Sequence, residues 1–170
     1  MKALLDGKIV LVSGGTQGVG AAVARAAAAE GATVAITGRR PEPGEALAGT
    51  LREGGTRAMF VRADVADVAQ AQASAAAVIT AYGRVDCLVN SAGLTSRGSL
   101  LDTSPELFDQ HIAVNLRGPF FLMQAVVTDM LARQSAGTIV NIISTSEHCG
   151  SGVVTGSVID WDQNVIGAVD

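Results

Sequence analysis

Eight residues near the amino terminus, Ser13-Gly14-Gly15-Thr16-Gln17-Gly18-Val19-Gly20, carry the clearest chemistry in this chain. They follow a short β-branched run and precede an alanine-rich stretch, so the glycines stand where a strand must turn into a helix. Gly14 permits the tight turn, Gly18 lets the backbone approach a ligand, and Gly20 lets the helix lie close to the strand. The amides at the helix start then face outward, an arrangement that binds phosphate groups. Gly14, Thr16, Gln17, Gly18, Val19 and Gly20 are therefore the candidate contacts. A glycine triplet alone is weak evidence; the strand before it and the helix after it are what the mechanism requires.

The elements that position this loop follow from the apolar pattern. Residues 8–13 read as a buried strand. Residues 18–30 read as a helix packing through Val19, Val23, Ala26 and Ala27, closed by Gly31 as C-cap. Residues 33–37 form a second strand, ended by Gly38-Arg39-Arg40-Pro41, and a short helix over 44–53 is stopped by Gly54-Gly55. Residues 57–63 form a third strand, after which Asp64 opens an alanine-rich helix to about Ala81. Residues 85–91 form a fourth strand. Ser104-Pro105-Glu106 supplies an N-cap and a proline at the first helical position. The helix it opens runs, with a disturbance near Gly118-Pro119, towards Arg133, and residues 137–144 form a fifth strand. This alternation predicts an α/β fold with a parallel, doubly wound sheet between two helical layers. After Ser144 the pattern breaks. Residues 145–152 are polar and glycine-rich, 153–159 are strand-like, 160–170 are irregular, and the expected crossover helix is missing.

The Gly-x3-Gly-x-Gly spacing resembles the loop of the short-chain dehydrogenase/reductase family. Asn90-Ser91-Ala92-Gly93 resembles that family's Asn-Asn-Ala-Gly motif, and Ile139-Val140-Asn141-Ile142-Ile143-Ser144 its fifth-strand motif. The resemblance covers most of residues 5–150 and again 152–162. It implies a Rossmann-type sheet, incomplete in its C-terminal half, in one NAD(P)-binding domain over residues 1–170. It also implies a small-molecule carbonyl or secondary alcohol as substrate, and a homo-oligomer. In such a protein Asn90, Ala92 and Gly93 make room for the cofactor ribose. Asp64 holds the adenine amino group and the Val65 amide holds the ring; Asp64 can cap its helix at the same time. Asn115, in Val114-Asn115-Leu116-Arg117-Gly118, holds a water of the proton relay from a bent helix, and Ser144 polarises the substrate carbonyl. NAD-preferring members place an acid at position 38. Here Gly38 is followed by Arg39 and Arg40, so nothing repels a 2′-phosphate and Arg39 can grip it bidentately. NADP is thus expected over NAD, the alternative being that both arginines form a solvated turn.

The family's proton transfer runs through a Tyr-x3-Lys pair after the serine, the lysine lowering the tyrosine pKa. Tyr82 is the one tyrosine here, and Lys2 and Lys8 are the lysines. Tyr82 precedes strand four, at the amino end of the sheet, whereas ligands bind outside the carboxyl ends. Residues 155–162 resemble instead the last strand of a full-length member. That places a junction near Gly150-Ser151, with several tens of residues deleted or omitted there. Two functions follow: an oxidoreductase of this family, inactive as the chain is written, or a non-catalytic nucleotide-binding remnant or interaction protein. A methyltransferase on a similar sheet is disfavoured by the loop spacing and by Asn90-Ser91-Ala92-Gly93 with Ser144. The remaining pocket candidates are Thr95-Ser96-Arg97 and Glu147-His148-Cys149, with His148 read as a loop histidine.

Composition sets outer bounds. The 170 residues are 48% hydrophobic, and the longest apolar runs are helix- or strand-sized, short of a membrane span. Net charge is −4, from 12 basic against 16 acidic residues, with no basic cluster beyond Arg39-Arg40, so nucleic acid is not an expected partner. Cys87 and Cys149 do not make a disulfide framework, and Cys87 reads as a buried small hydrophobe. No metal site and a cytoplasmic location are expected.

Overall fold

The run Ile9–Ser13 is buried along its whole length, which requires a strand inside a sheet that is covered on both faces. The computed structural model describes residues 3–96 and 101–143, and there this run is the central strand β1. After it come α1 (Gly18–Ala29), β2 (Thr33–Gly38), α2 (Pro41–Glu53), β3 (Ala58–Arg62), α3 (Val68–Tyr82) and β4 (Cys87–Asn90). α4 (Pro105–Ile112), a π-helical turn (Ala113–Arg117), α5 (Gly118–Ala132) and β5 (Thr138–Asn141) follow. The strands pair in parallel in the order β3-β2-β1-β4-β5. The chain therefore winds outward from β1 to β3, then restarts on the other side with β4. The crevice where this order reverses lies at the carboxyl ends of β1 and β4.

Alternation along β1 divides the core in two. Val10 and Val12 pack with Val34, Ile36, Leu47 and Leu51 beneath α1 and α2. Ile9 and Leu11 pack with Leu88, Val78, Leu122 and Val126 beneath α3 and α5. The result is the doubly wound three-layer α/β arrangement, Rossmann-like and parallel throughout among the described residues.

Several boundaries depart from the sequence reading, each for a local reason. Of the expected α1 face, Ala27 is buried and Val23 packs half-buried against the core, but Ala26 is exposed and Val19 is 60% exposed, their places being taken by Gly20 and Ala24. Small residues let the helix sit close to the sheet, which turns Val19 outward. α2 begins at Pro41 rather than Gly44, because a proline at the first helical position loses no hydrogen bond. α3 begins at Val68, capped by Asp67, whose carboxylate accepts from the Gln70 amide at 3.2 Å. Asp64 does not cap that helix; its carboxylate accepts from the Ala66 amide at 3.0 Å in a turn before it. The disturbance in the long helix lies at Ala113–Arg117, just before Gly118-Pro119. Gly31, at φ +85°, follows α1 as expected of a C-terminal glycine. Cys87 is half-buried against the first core cluster. Ser144, the Gly150-Ser151 junction, the strand-like 153–159, Arg97 and Glu147-His148-Cys149 lie outside the described residues.

Candidate nucleotide site

The glycine loop is fixed at its base and open at its tip. The Gly14 and Gly15 amides both donate to the Thr37 carbonyl, at 3.0 and 3.1 Å, which ties the loop to the end of β2. Gly14 has φ +76°, and a Cβ there would stand 2.6 Å from the Ala92 backbone. A Cβ on Gly20 would strike the Gly14 carbonyl. Gly18, at φ +53°, has open space where a Cβ would be. Two of the glycines thus permit close packing, and the third leaves the approach clear.

The amides of residues 16–20 find no acceptor among the described residues. Gln17, the N-cap of α1, makes no side-chain cap, and the first turn carries no acid. α3 and α4, by contrast, are capped by Asp67 and Ser104. The positive end of α1 is therefore uncompensated and faces a groove of about 620 Å³.

That groove runs over the carboxyl ends of the strands. Gly14, Thr16, Gln17, Gly18, Val19, Arg39, Asp64, Val65, Ala92 and Gly93 line it. Gly20 and Asn90 stand behind its wall. Asn90 is 4% exposed and donates from Nδ2 to Asn141 Oδ1 at 2.8 Å, while its Oδ1 has no partner among the described residues. Arg39 contacts no other side chain among the described residues and stands exposed at the groove. The Arg40 guanidinium reaches back to Gln17 Oε1, so the two arginines differ in surroundings. The Val65 carbonyl abuts Gly118, where any side chain would collide, and this joins the groove rim to the start of α5.

Asn115 sits in the π-helical turn, where asparagine's weak helix propensity is tolerated. Its Oδ1 accepts from the Leu94 amide at 2.7 Å and its Nδ2 donates to the Leu94 carbonyl at 2.8 Å. The side chain is thus a two-point clamp on the loop after β4. Four residues earlier His111 is 5% exposed, with Nδ1 donating to the Leu107 carbonyl at 2.8 Å and Nε2 2.9 Å from Ser96 Oγ. Thr95 is exposed, and Ser96 faces this histidine rather than the groove lining. Sequence reasoning missed His111, Gln110, Val114 and Leu94. The signal for His111 was its place four residues before Asn115, on the same helix face.

Tyr82 ends α3 with Arg57 4.6 Å over its ring, beside the start of β3 and far along the sheet from the groove. Burial pushes its phenol pKa up, against a smaller opposing pull from Arg57. Burial, and next the Asp86 charge, raise the Cys87 thiol pKa, which makes it a poor nucleophile. Among the described residues there is no cluster of three or more potential metal ligands, and no helix is long and apolar enough to cross a membrane.

Comparison with known proteins agrees with this geometry. The family profile described as short chain dehydrogenase matches residues 8–156. D-threitol dehydrogenase of Mycolicibacterium smegmatis is 44% identical over 142 residues, covering 82% of this chain and 54% of that protein. The 3-oxoacyl-[acyl-carrier protein] reductase of Brucella melitensis, solved with NAD, is 42% identical with a TM-score of 0.79, covering 86% of this chain and 59% of that one. A blue fluorescent protein from a metagenomic library, solved with NADPH, is 35% identical with a TM-score of 0.80, covering 88% and 61%. The chain thus spans little more than half the length of these relatives. Its loop, its sheet order and its relatives agree: this chain belongs to the short chain dehydrogenase family.

Proposed function

We propose that this protein is an oxidoreductase that moves a hydride between NADP(H) and a carbonyl or secondary alcohol. We propose further that the 170 residues as they stand bind the dinucleotide without turning over substrate. One observation carries the binding: five amides at the start of α1, residues 16–20, have no acceptor among the described residues and lie beside a glycine cradle and an uncapped helix end. Such a set matches the pyrophosphate of a dinucleotide and has no evident structural use.

In this reading the bound nicotinamide supplies or accepts the hydride. The chain's own groups orient the dinucleotide. Arg39, without a side-chain partner among the described residues, takes the 2′-phosphate; Gly38 offers no charge against it. Asp64 and Val65 hold the adenine, and Ala92 and Gly93 floor the ribose beside the end of β4. Gly14, Thr16, Gln17, Gly18 and Val19 hold the phosphates, Gly20 permits the close turn, and Asn90 supports the strand end. Relatives solved with NAD and with NADPH support a nicotinamide dinucleotide, and the choice between them rests here on Arg39.

Proton transfer is the part these residues do not supply. Asn115 and Ser144 belong to the family's relay, but Tyr82 is at the wrong end of the sheet and its phenol is shifted the wrong way. The Asn115 side chain already holds Leu94 through both Oδ1 and Nδ2, which ties the relay position to the loop after β4. A positioned proton donor typically contributes about 10²–10⁴-fold. Self-association belongs to the same proposal, since Phe108 and Phe120 stand exposed on α4 and α5. The test is calorimetric titration with NADPH and NADH, run beside a hydride-transfer assay on protein of verified mass. Binding with NADPH preferred and no turnover is expected; robust turnover rejects the second half, and absence of binding rejects the first.

A further inference from the structure

We infer that His111 is a positioning residue for the end of the groove remote from Arg39, acting through Ser96 on the loop that carries Gly93 and Leu94. The inference rests on the nucleotide reading above and assigns a task to a buried group which that reading leaves unused.

His111 is one of few buried polar side chains among the described residues, and both of its ring nitrogens are engaged. A carbonyl only accepts, so Nδ1 donates to Leu107, and Nε2 pairs with the Ser96 hydroxyl, which can serve as either donor or acceptor. One turn later, Asn115 grips Leu94 at both its amide and its carbonyl. Residues 94–96 are therefore fastened at two points to one helical rod, across the join between α4 and the π-helical turn. A loop held only at Leu94 could pivot about that residue; a second fastening at Ser96 fixes its direction. The groove feels this directly, because Gly93 and Leu94 line it, as do Gln110 and Val114 from the same rod. Gly38 and Arg39 lie at the opposite end, across β1 from β4.

This separation gives the clamp a signature that simple loss of stability would not produce. NADPH spans both ends of the groove, whereas adenosine 2′,5′-bisphosphate occupies only the end beside Arg39. Expected for His111→Ala is roughly tenfold weaker NADPH binding, the scale of one net hydrogen bond with its ordering effect, and unchanged bisphosphate binding. Ser96→Ala should show the same loss, and the double variant no more than either alone, since one contact is removed in each case. His111→Gln, which keeps a hydrogen-bonding group towards Ser96, should recover most of the affinity. Equal losses for the two ligands, or full NADPH affinity in a folded His111→Ala, overturn the inference. Ser96→Ala carries the same test should His111→Ala not fold. If the wild-type chain binds neither ligand, the nucleotide reading falls, and hydrogen exchange at the Leu94 amide decides the clamp separately. Faster exchange in both variants supports it, and unchanged exchange rejects it.

Discussion

Gly38 and Thr16 compete for one small space: a Cβ at position 38 would stand 2.6 Å from Thr16 Cγ2. The end of β2 is thus filled from the phosphate loop, and position 38 is coupled to the loop it faces. An acid placed there to favour NAD would have to displace Thr16. We expect Gly38→Asp to weaken NADPH by tenfold or more, roughly the effect of exchanging attraction for repulsion, without creating tight NADH binding. Gly38→Asp combined with Thr16→Ala should bind NADH better than Gly38→Asp alone. Titration of the three proteins decides it, and a gain of NADH affinity in the single variant would contradict the coupling.

Arg39→Glu is expected to weaken NADP(H) by about an order of magnitude or more and to leave NAD(H) little changed, because a charge-assisted pair becomes a repulsion. Arg40, engaged by Gln17, should matter less to the NADP/NAD ratio. Equal losses for both cofactors on Arg39→Glu would reject its assignment to the 2′-phosphate.

Gly20→Ala and Gly18→Ala separate two uses of glycine. At position 20 the added methyl meets the Gly14 carbonyl, backbone that cannot swing aside, so about 1–3 kcal/mol of stability and most nucleotide affinity should be lost. At position 18 the space is open and only the positive φ is strained, costing about 1–2 kcal/mol. Thermal melts with and without NADPH distinguish the two: the ligand-induced shift should vanish for Gly20→Ala.

The opposite end of the sheet supplies a pH test. Asp86 accepts from the Ile9 amide at 2.9 Å and pairs with Arg84 Nε at 2.9 Å, joining the starts of β1 and β4. Burial pushes its carboxyl up, but the Arg84 hydrogen bond, the Ile9 amide and the nearby cations together outweigh it and hold the pKa below the ordinary carboxylate value. The contribution is therefore complete above about pH 4, the unfolded aspartate value, and is lost as pH falls through the lower folded value. Asp86→Asn should cost about 1–3 kcal/mol at neutral pH and flatten the acid limb of the stability curve. Denaturant melts from pH 7 to pH 3 measure it, and an unchanged acid limb would contradict the sign.

Local signals were the legible ones. The strand–glycine–helix order placed Gly14, Gly18 and Gly20, and the alternation of apolar runs placed the parallel sheet with its Rossmann-like winding. What escaped depended on contacts between distant segments. Nothing in the local sequence distinguishes Asp64 from Asp67 as a cap, because both can accept from amides just beyond them. The outward turn of Val19 follows from how closely Gly20, Ala24 and Ala27 let α1 approach the sheet. The spacing of His111 from Asn115 puts both on one helix face, but the partner of His111 emerges only when Ser96, fifteen positions earlier, is brought against it.

The central claim is that the free amides of residues 16–20, together with Arg39, receive a dinucleotide. Backbone amide chemical shifts of the 170-residue chain, followed during titration with NADPH, test it most directly. We predict saturable shifts at residues 14–20, Gly38, Arg39, Asp64, Ala92 and Gly93, while the Tyr82 end of the sheet stays still. Shifts confined to other surfaces, or none at millimolar NADPH, would contradict the account.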